Sequence, residues 1–409
     1  MQKKLNADKF TKMAIYSSLL IGLLIVVLFN TGIKSTGDDA YFSKVLAHQD
    51  LFETLHTRYN TWSGRVTIEA LLFSTINIYI FWITLIPLSI VLIFYSLAKI
   101  VCGEMPLHWQ SIAFAVLFLF ISPYVNGSAT WWLTGFYNYT LPISLGLFAV
   151  SSFILSKSTS TFIKILSILS LTIACFNEQV SIFILLVAIP ISLLTKNFSL
   201  YTISFIVLST ILTLIALLAP GNKIRFDYEQ RWIPEFSSYS LIEKLGLGID
   251  KFSMHVLDPS NVVFTVLTLC CIAVFYFSQN KTFSSYVAVS ILLLRMVFVH
   301  SMQYGNIYSH YFLTTEKLTP VNWHGLTIYA SYLMTLFSLI SCVYIGFLIN
   351  NNRFKIIFIC GILIGAASIM MMSFSPTIYE SGGRVLMLND TLIIMSTLSA
   401  INFFYKKGR

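Results

Sequence analysis

Charge is what this chain has least of. Of its 409 residues, 11% are charged and 56% are hydrophobic, with a mean hydropathy of +0.79. A soluble domain carries about 25% charged residues, so this shortage excludes a water-soluble globule and makes lipid the expected solvent. Cysteine is sparse as well: there are six, and no pair has zinc or redox spacing. Cys102 falls in a loop, while Cys175, Cys270, Cys271, Cys342 and Cys360 fall in or at the ends of apolar runs. That excludes a disulfide framework and leaves small apolar filler as their expected role. Internal repeats, low-complexity tracts, and phosphate-loop, dinucleotide-binding, zinc-protease and nucleophile-elbow motifs are also missing. His255, His300, His310 and His324 share no metal-ligand spacing on one helix face, so no zinc site is expected. The net charge of +9 forms no patch, which excludes a nucleic-acid partner.

What is abundant is apolar runs of about 20 residues, the length that crosses a bilayer as a helix. They predict an all-α, polytopic membrane protein with twelve spans in one transmembrane domain, residues 1–409. The spans are expected at 12–31, 70–98, 109–122, 140–156, 162–177, 179–195, 199–219, 260–278, 283–301, 324–348, 355–374 and 386–404. Span two has room in its early part for a separate, tilted helix. The basic N-terminus before span one resembles a signal peptide, but no small-residue cleavage site follows, so a retained first helix is expected.

The charges that exist sort by side of the membrane. With the N-terminus in the cytoplasm, inner segments hold Lys3, Lys4, Lys9, Lys12, Lys99, Lys157, Lys164, Lys196, Lys281, Arg353, Lys355, Lys406, Lys407 and Arg409, against the acids Asp8 and Glu104. An inner excess of Lys and Arg sets orientation, so both termini are expected in the cytoplasm. The long polar segments 32–69, 123–139, 220–259, 302–323 and 375–385 then all lie outside. Two of them contain amphipathic stretches that suit helices lying on the membrane. One is 41–56, with Phe42, Val45, Phe52 and Leu55; the other is 241–256, with Leu241, Leu245, Phe252 and Val256.

Candidate chemistry gathers in these outer segments. The first outer loop, 32–69, opens with Asp38 and Asp39. Adjacent carboxylates repel when both ionise, which favours a proton acceptor; they can also hold a divalent cation such as Mg or Mn, or begin a helix. Arg58, Arg65, Lys223, Arg225, Arg231 and Arg384 are outer cations near span ends. Guanidinium grips phosphate bidentately, so phosphate binding is read for the set, with ordinary salt bridges to Asp227, Glu229 or Glu380 as the simpler use. Trp62, Trp131, Trp132, Tyr137 and Tyr139 can stack on sugar rings, and Asn138 can bond to hydroxyls; the same aromatics suit an interfacial belt. Asn177-Glu178-Gln179 sits at a turn between two apolar spans, where a carboxylate needs a partner, and the outer arginines are the candidates. Arg295, late in span nine, is expected inside the bundle.

These pieces together are similar to a known group. The order runs Gly37-Asp-Asp, then Arg58-Tyr-Asn-Thr-Trp-Ser-Gly-Arg65, then Trp131-Trp-Leu-Thr-Gly-Phe-Tyr-Asn-Tyr-Thr-Leu-Pro142. Asn177-Glu-Gln, Ala219-Pro-Gly-Asn and Ser375-Pro-Thr-Ile-Tyr with Arg384 follow. The chain resembles polytopic bacterial glucosyltransferases of the O-antigen serotype-conversion type, within the C-type (GT-C) membrane glycosyltransferases. The resemblance implies a sugar donor on polyprenyl phosphate and a polysaccharide or lipid-linked oligosaccharide acceptor, meeting on the outer face of a bacterial cytoplasmic membrane. It implies Asp38 or Asp39 as general base, with Glu178 as a second candidate. Arg58, Arg65, Lys223, Arg225 and Arg384 would hold the leaving phosphate. Trp62, Trp131, Trp132, Asn138, Tyr139, Asn177 and Gln179 would contact sugar. A polysaccharide polymerase is the nearest alternative. A transporter of lipid-linked saccharide fits less well, because it needs polar residues at mid-membrane and paired broken helices.

Overall fold

Helices account for all regular structure in the computed structural model, which describes residues 17–18, 20–103, 108–304, 317–320, 322–323 and 325–407. Among the described residues there is no strand, and the chain is an all-α, polytopic membrane protein. Among the described residues, seven helices are long and apolar enough to cross a bilayer: Tyr79–Cys102, Glu178–Thr195, Leu200–Leu217, Phe283–Ser301, Ile328–Gly346, Asn352–Phe374 and Arg384–Phe404. At the remaining predicted spans, Thr161–Ala174 and Val262–Phe277 are shorter, Leu141–Ile154 continues from Leu133 through a π-helical turn, and Leu20–Asn30 and His108–Leu119 each begin beside residues outside the described ones. At 1.5 Å per residue Thr161–Ala174 and Val262–Phe277 reach roughly 21–24 Å, less than the hydrocarbon thickness of about 30 Å. Part of the first predicted span lies outside the described residues. The second predicted span is divided: Val66–Thr75 is a separate helix, and Tyr79–Cys102 restarts after Ile76–Ile78.

The chain packs as two compact units. The first comprises Met1–Ala115 and Asn126–Tyr228; the second comprises Val116–Val125 and Glu229–Arg409. In the first unit the central element is Leu141–Ile154. From Leu141 to Phe153 every residue except Leu145 is buried, as expected of a helix that is apolar all round. It packs against Tyr79–Cys102, Thr161–Ala174 and Glu178–Thr195. Gly146 permits the closest approach, because a Cβ there would press on Val180, Ile184 and Ala174.

In the second unit Met387–Lys407 takes that central place, packed on Asn352–Met370 and Val262–Phe277. Small residues bring the backbones together: Gly361 lies against the Leu392 carbonyl and Ser396, and Gly365 against Asn389. Hydroxyls then bridge the helices, with Ser396 Oγ donating to Phe358 O (2.9 Å) and Ser399 Oγ to Phe354 O (2.8 Å). The stretch Val116–Val125 belongs to this unit because the Gly383 backbone packs directly on Tyr124.

The two amphipathic stretches differ from expectation. The first is not one helix. Asp38–Lys44 is followed by a 3-10 turn, Val45–Ala47, and a new helix, Leu51–Thr61, begins where Asp50 accepts from Phe52 N (2.8 Å) and Glu53 N (3.2 Å). This restart rotates the pattern: Phe42 and Leu55 are buried while Phe52 is exposed. The second stretch is a single helix, Leu241–Val256, with Ser240 and Glu243 forming a reciprocal capping box. Leu241 and Ile242 are exposed, whereas Phe252 and Val256 are buried, so only its first turns suit a membrane surface.

Overpacking the second unit's central contact tests this arrangement. Gly361→Val places side-chain atoms against the Leu392 backbone and is expected to cost about 1–3 kcal/mol. The check is a lowered thermal midpoint in detergent.

Candidate active site

The polar segment 32–69 is tied down by its second carboxylate. Asp39 is fully buried in the first turn of Asp38–Lys44. Its Oδ1 accepts from the backbone N–H of Thr134 (3.0 Å) and the Thr134 hydroxyl (2.6 Å), and its Oδ2 accepts from Lys34 N (3.1 Å). Asp38, one residue earlier, is exposed. Gly37, at φ 72°, precedes the helix in a conformation that glycine adopts at little cost. The two carboxylates therefore point to different environments and do not chelate one ion. Among the described residues, no group of three or more His, Cys, Asp or Glu side chains gathers as metal ligands.

Thr134 begins a short path to the third polar segment. The Asn138 side chain donates to Thr134 O (2.9 Å) and accepts on Oδ1 from Arg65 Nη1 (3.0 Å). Asn138 and Tyr139 lie on a π-helical turn, Phe136–Thr140, a local widening often found at functional sites. Arg65 meets Glu178 through Nη2 (2.6 Å) and Nε (3.2 Å to each oxygen), and its guanidinium lies 5.6 Å from the Tyr139 ring centre. Burial alone would weaken the charge on Arg65; the Glu178 carboxylate and Tyr139 outweigh it and hold its pKa above the ordinary arginine value. Asn177 closes the circuit. Its Nδ2 donates to Asn138 O (2.7 Å), while its Oδ1 caps the helix that starts at Glu178 by accepting from Val180 N (2.9 Å). The partner expected for Glu178 is thus Arg65, with Arg225 also within electrostatic reach.

Two glycines lock the neighbouring motifs together. A Cβ on Gly64 would collide with the Ala216 carbonyl, and one on Gly221 with the backbone of Tyr59 and Trp62. Asn222 holds both sides: its Oδ1 accepts from Gly64 N (3.2 Å), and its Nδ2 donates to Ala216 O (2.8 Å). The Arg58–Arg65 and Ala219–Asn222 segments, far apart in sequence, are one backbone junction.

Other expected residues are placed differently. Arg58 is engaged by Glu69, with Nε and Nη2 each 2.7 Å from a carboxylate oxygen, and it lies over the rings of Tyr41, Phe42 and Phe73. Burial opposes its charge, and Glu69 raises its pKa in spite of that. Neither Glu69 nor Thr134 was singled out in the sequence. Glu69 was findable: a carboxylate inside an apolar run needs a partner, and it sits in Val66–Thr75. Thr134 carried no such signal. Lys223 is exposed on Pro220–Glu229, the helix that also carries Arg225. Trp62 meets Tyr228 edge to face, and Lys34 lies over Trp132 at 5.2 Å. Trp131 is half-buried and Gln179 buried beside Glu178. Arg384 belongs to the second unit, at the start of the turn Arg384–Leu386.

The second unit has its own buried polar groups. Arg295 is fully buried, as expected, donating to Val256 O and lying over Phe264 at 4.6 Å. His255 Nε2 and Asp390 Oδ1 are 2.5 Å apart. Asp250 accepts from Tyr379 OH (2.6 Å), Tyr332 OH (2.8 Å) and Leu318 N (3.1 Å). Next to it, Lys251 is buried with Nζ 3.4 Å from Tyr124 OH.

Compared with known proteins, the chain matches no family model, no curated protein and no solved structure.

Lys251 supplies a pH test. Burial, reinforced by the nearby Lys317, lowers its pKa from the usual 10.5 to about 8. Between those values the unfolded chain binds the proton that the folded chain has released, so stability rises with pH across this window. Lys251→Met is expected to remove that rise in a thermal-unfolding series from pH 7 to 11.

Proposed function

We propose that the chain is a membrane glycosyltransferase of the GT-C type. It moves a sugar, a hexose such as glucose, from polyprenyl phosphate to a surface polysaccharide or O-antigen acceptor. It works from the outer face of a bacterial cytoplasmic membrane, with twelve spans and both termini in the cytoplasm. The observation that carries this reading is the single hydrogen-bonded path Asp39–Thr134–Asn138–Arg65–Glu178. It joins the buried carboxylate next to the exposed Asp38, the Arg65–Glu178 ion pair and the Tyr139 ring, contributed by three separate polar segments at helix ends. The sequence resemblance supports the same assignment.

In this mechanism Asp38 is the general base, because it is the exposed member of the pair, whereas both oxygens of Asp39 are occupied by protein donors. The acceptor hydroxyl oxygen attacks the anomeric carbon as its proton passes to Asp38. The bond between that carbon and the lipid phosphate oxygen breaks, and polyprenyl phosphate leaves with the electron pair. Asp39 acts through position, fixing the loop to Thr134. Glu178 faces both Arg65 and Arg225, so two cations gather at one carboxylate. Lys223 adds another on the Arg225 helix. Preorganised positive charge stabilises a leaving phosphate at the transition state.

Asp38→Asn is expected to lower transfer by about 10²–10⁴-fold, the range for a general base, at unchanged protein level in the membrane. The assay uses purified full-length protein in nanodiscs with polyprenyl-phosphate glucose, and a wild-type rate in this variant overturns the role. Arg65→Lys keeps the charge but loses the bidentate fork; the donor KM is expected to rise at least about tenfold, and an unchanged donor KM removes Arg65 from donor binding. In the host, deleting the gene is expected to remove one side-branch sugar from polysaccharide of unchanged length. Collapse to a single repeat unit would instead identify a polymerase.

A further inference from the structure

The second unit contains a cleft of about 350 Å³ that the proposed reaction does not use. This volume lies in the range of small-ligand pockets. Its walls carry Trp232, Glu235, Tyr239, Lys317, Tyr379 and Glu380, with three prolines between them.

The cleft is built on a rigid floor. Leu318 and Tyr379 both line it, and both are fixed from beneath by the buried carboxylate of Asp250, through Leu318 N (3.1 Å) and Tyr379 OH (2.6 Å). Leu318 N also reaches Tyr379 OH at 3.2 Å, so the two lining residues are tied to each other. The aromatic walls are held as firmly. Trp232 donates from Nε1 to Glu229 (2.6 Å), and Arg231 lies over its ring at 5.1 Å, yet 47% of Trp232 stays exposed. Tyr239 packs edge to face on Trp323 at 5.3 Å.

One wall residue sits in strained backbone. Glu235 has φ 66° and ψ 11°, a left-handed conformation that side-chain-bearing residues seldom adopt. The 3-10 turn that follows keeps it there: Ser238 donates from both N (2.8 Å) and Oγ (2.7 Å) to the Glu235 carbonyl. A glycine would occupy this position without strain; a glutamate there presents a carboxylate at the cleft. Strain of this kind persists where the surrounding structure enforces it and clusters at ligand sites.

We infer that this cleft binds a neutral saccharide. The apolar face of a sugar ring suits exposed Trp and Tyr surfaces, and carboxylates accept hydrogen bonds from hydroxyls. Glu380 is already paired with Lys317 (3.2 Å). Glu235 is the second acid, so the charged lining residues leave a net negative charge that disfavours phosphate and acidic sugars. This site is independent of the transferase reading, because binding is measured without donor or turnover.

The test is retention of full-length protein in nanodiscs on an array of neutral and acidic glycans. Wild-type protein is expected to be retained on neutral glycans. Trp232→Ala and Glu235→Gln are each expected to weaken that binding at least tenfold. Glu235→Gly relieves the strained backbone, so it is expected to raise the thermal midpoint while also losing glycan. That variant separates loss of the site from loss of folding. No neutral glycan retained by wild type, retention on acidic glycans only, or equal retention by the folded variants overturns the proposal. Glycan binding by protein that transfers no sugar leaves this site standing and removes the transferase.

Discussion

Every charge that this chain takes out of water must be answered by another group. A carboxylate or guanidinium withdrawn into a low-dielectric setting loses several kcal/mol of hydration, and only a close partner offsets the loss. Arg65 and Glu178 satisfy each other in this way, and so do Arg58 and Glu69. Breaking such a pair by removing one member leaves the other uncompensated, which for a buried pair costs about 3–5 kcal/mol. The pairing therefore dictates where the polar segments can go. Arg65 lies just before the helix Val66–Thr75, Glu178 begins a helix 113 positions later, and their contact brings Asn138 and Tyr139 with it.

This constraint also gives two apparently similar residues different work. Asp38 and Asp39 are chemically identical neighbours, but a helix turns by about 100° between successive side chains. One side chain therefore faces solvent and the other faces Thr134. Asp39 spends its lone pairs on anchorage, leaving Asp38 as the exposed acid of the pair. Rigidity beside Arg65 comes from other parts: the Gly64 and Gly221 backbone contacts and the Asn222 amide that spans them. Precision at a reacting centre depends on supports of this kind.

Much of the fold was legible because hydropathy and helical period are local properties. The predicted apolar segments coincide with helices, and Arg295 is buried as its place in span nine implied. Length was less legible: Thr161–Ala174 ends three residues before its expected limit at 177, and Val262–Phe277 lies just inside its expected 260–278. The 41–56 stretch misled because a periodic pattern does not reveal that Asp50 restarts the helix. At the site, the need of Glu178 for an arginine followed from desolvation alone, but which arginine depended on tertiary packing. Glu69 deserved the same reasoning and would have claimed Arg58. Thr134 and the cleft around Glu235 were invisible, because a threonine's hydroxyl and a residue's φ acquire meaning only in three dimensions.

The second unit has a consequence for how the protein is made. Its segment Val116–Val125 precedes the rest of it by a hundred residues, and Tyr124 rests on Gly383, which leaves the ribosome roughly 260 residues later. At 5–20 residues per second that interval is on the order of tens of seconds. Throughout it Tyr124 is without the Gly383 backbone, while every residue of the first unit has been made once Tyr228 is added. Order of synthesis therefore separates the two: the whole of the first unit is made before the Gly382-Gly383 turn that completes the packing on Tyr124.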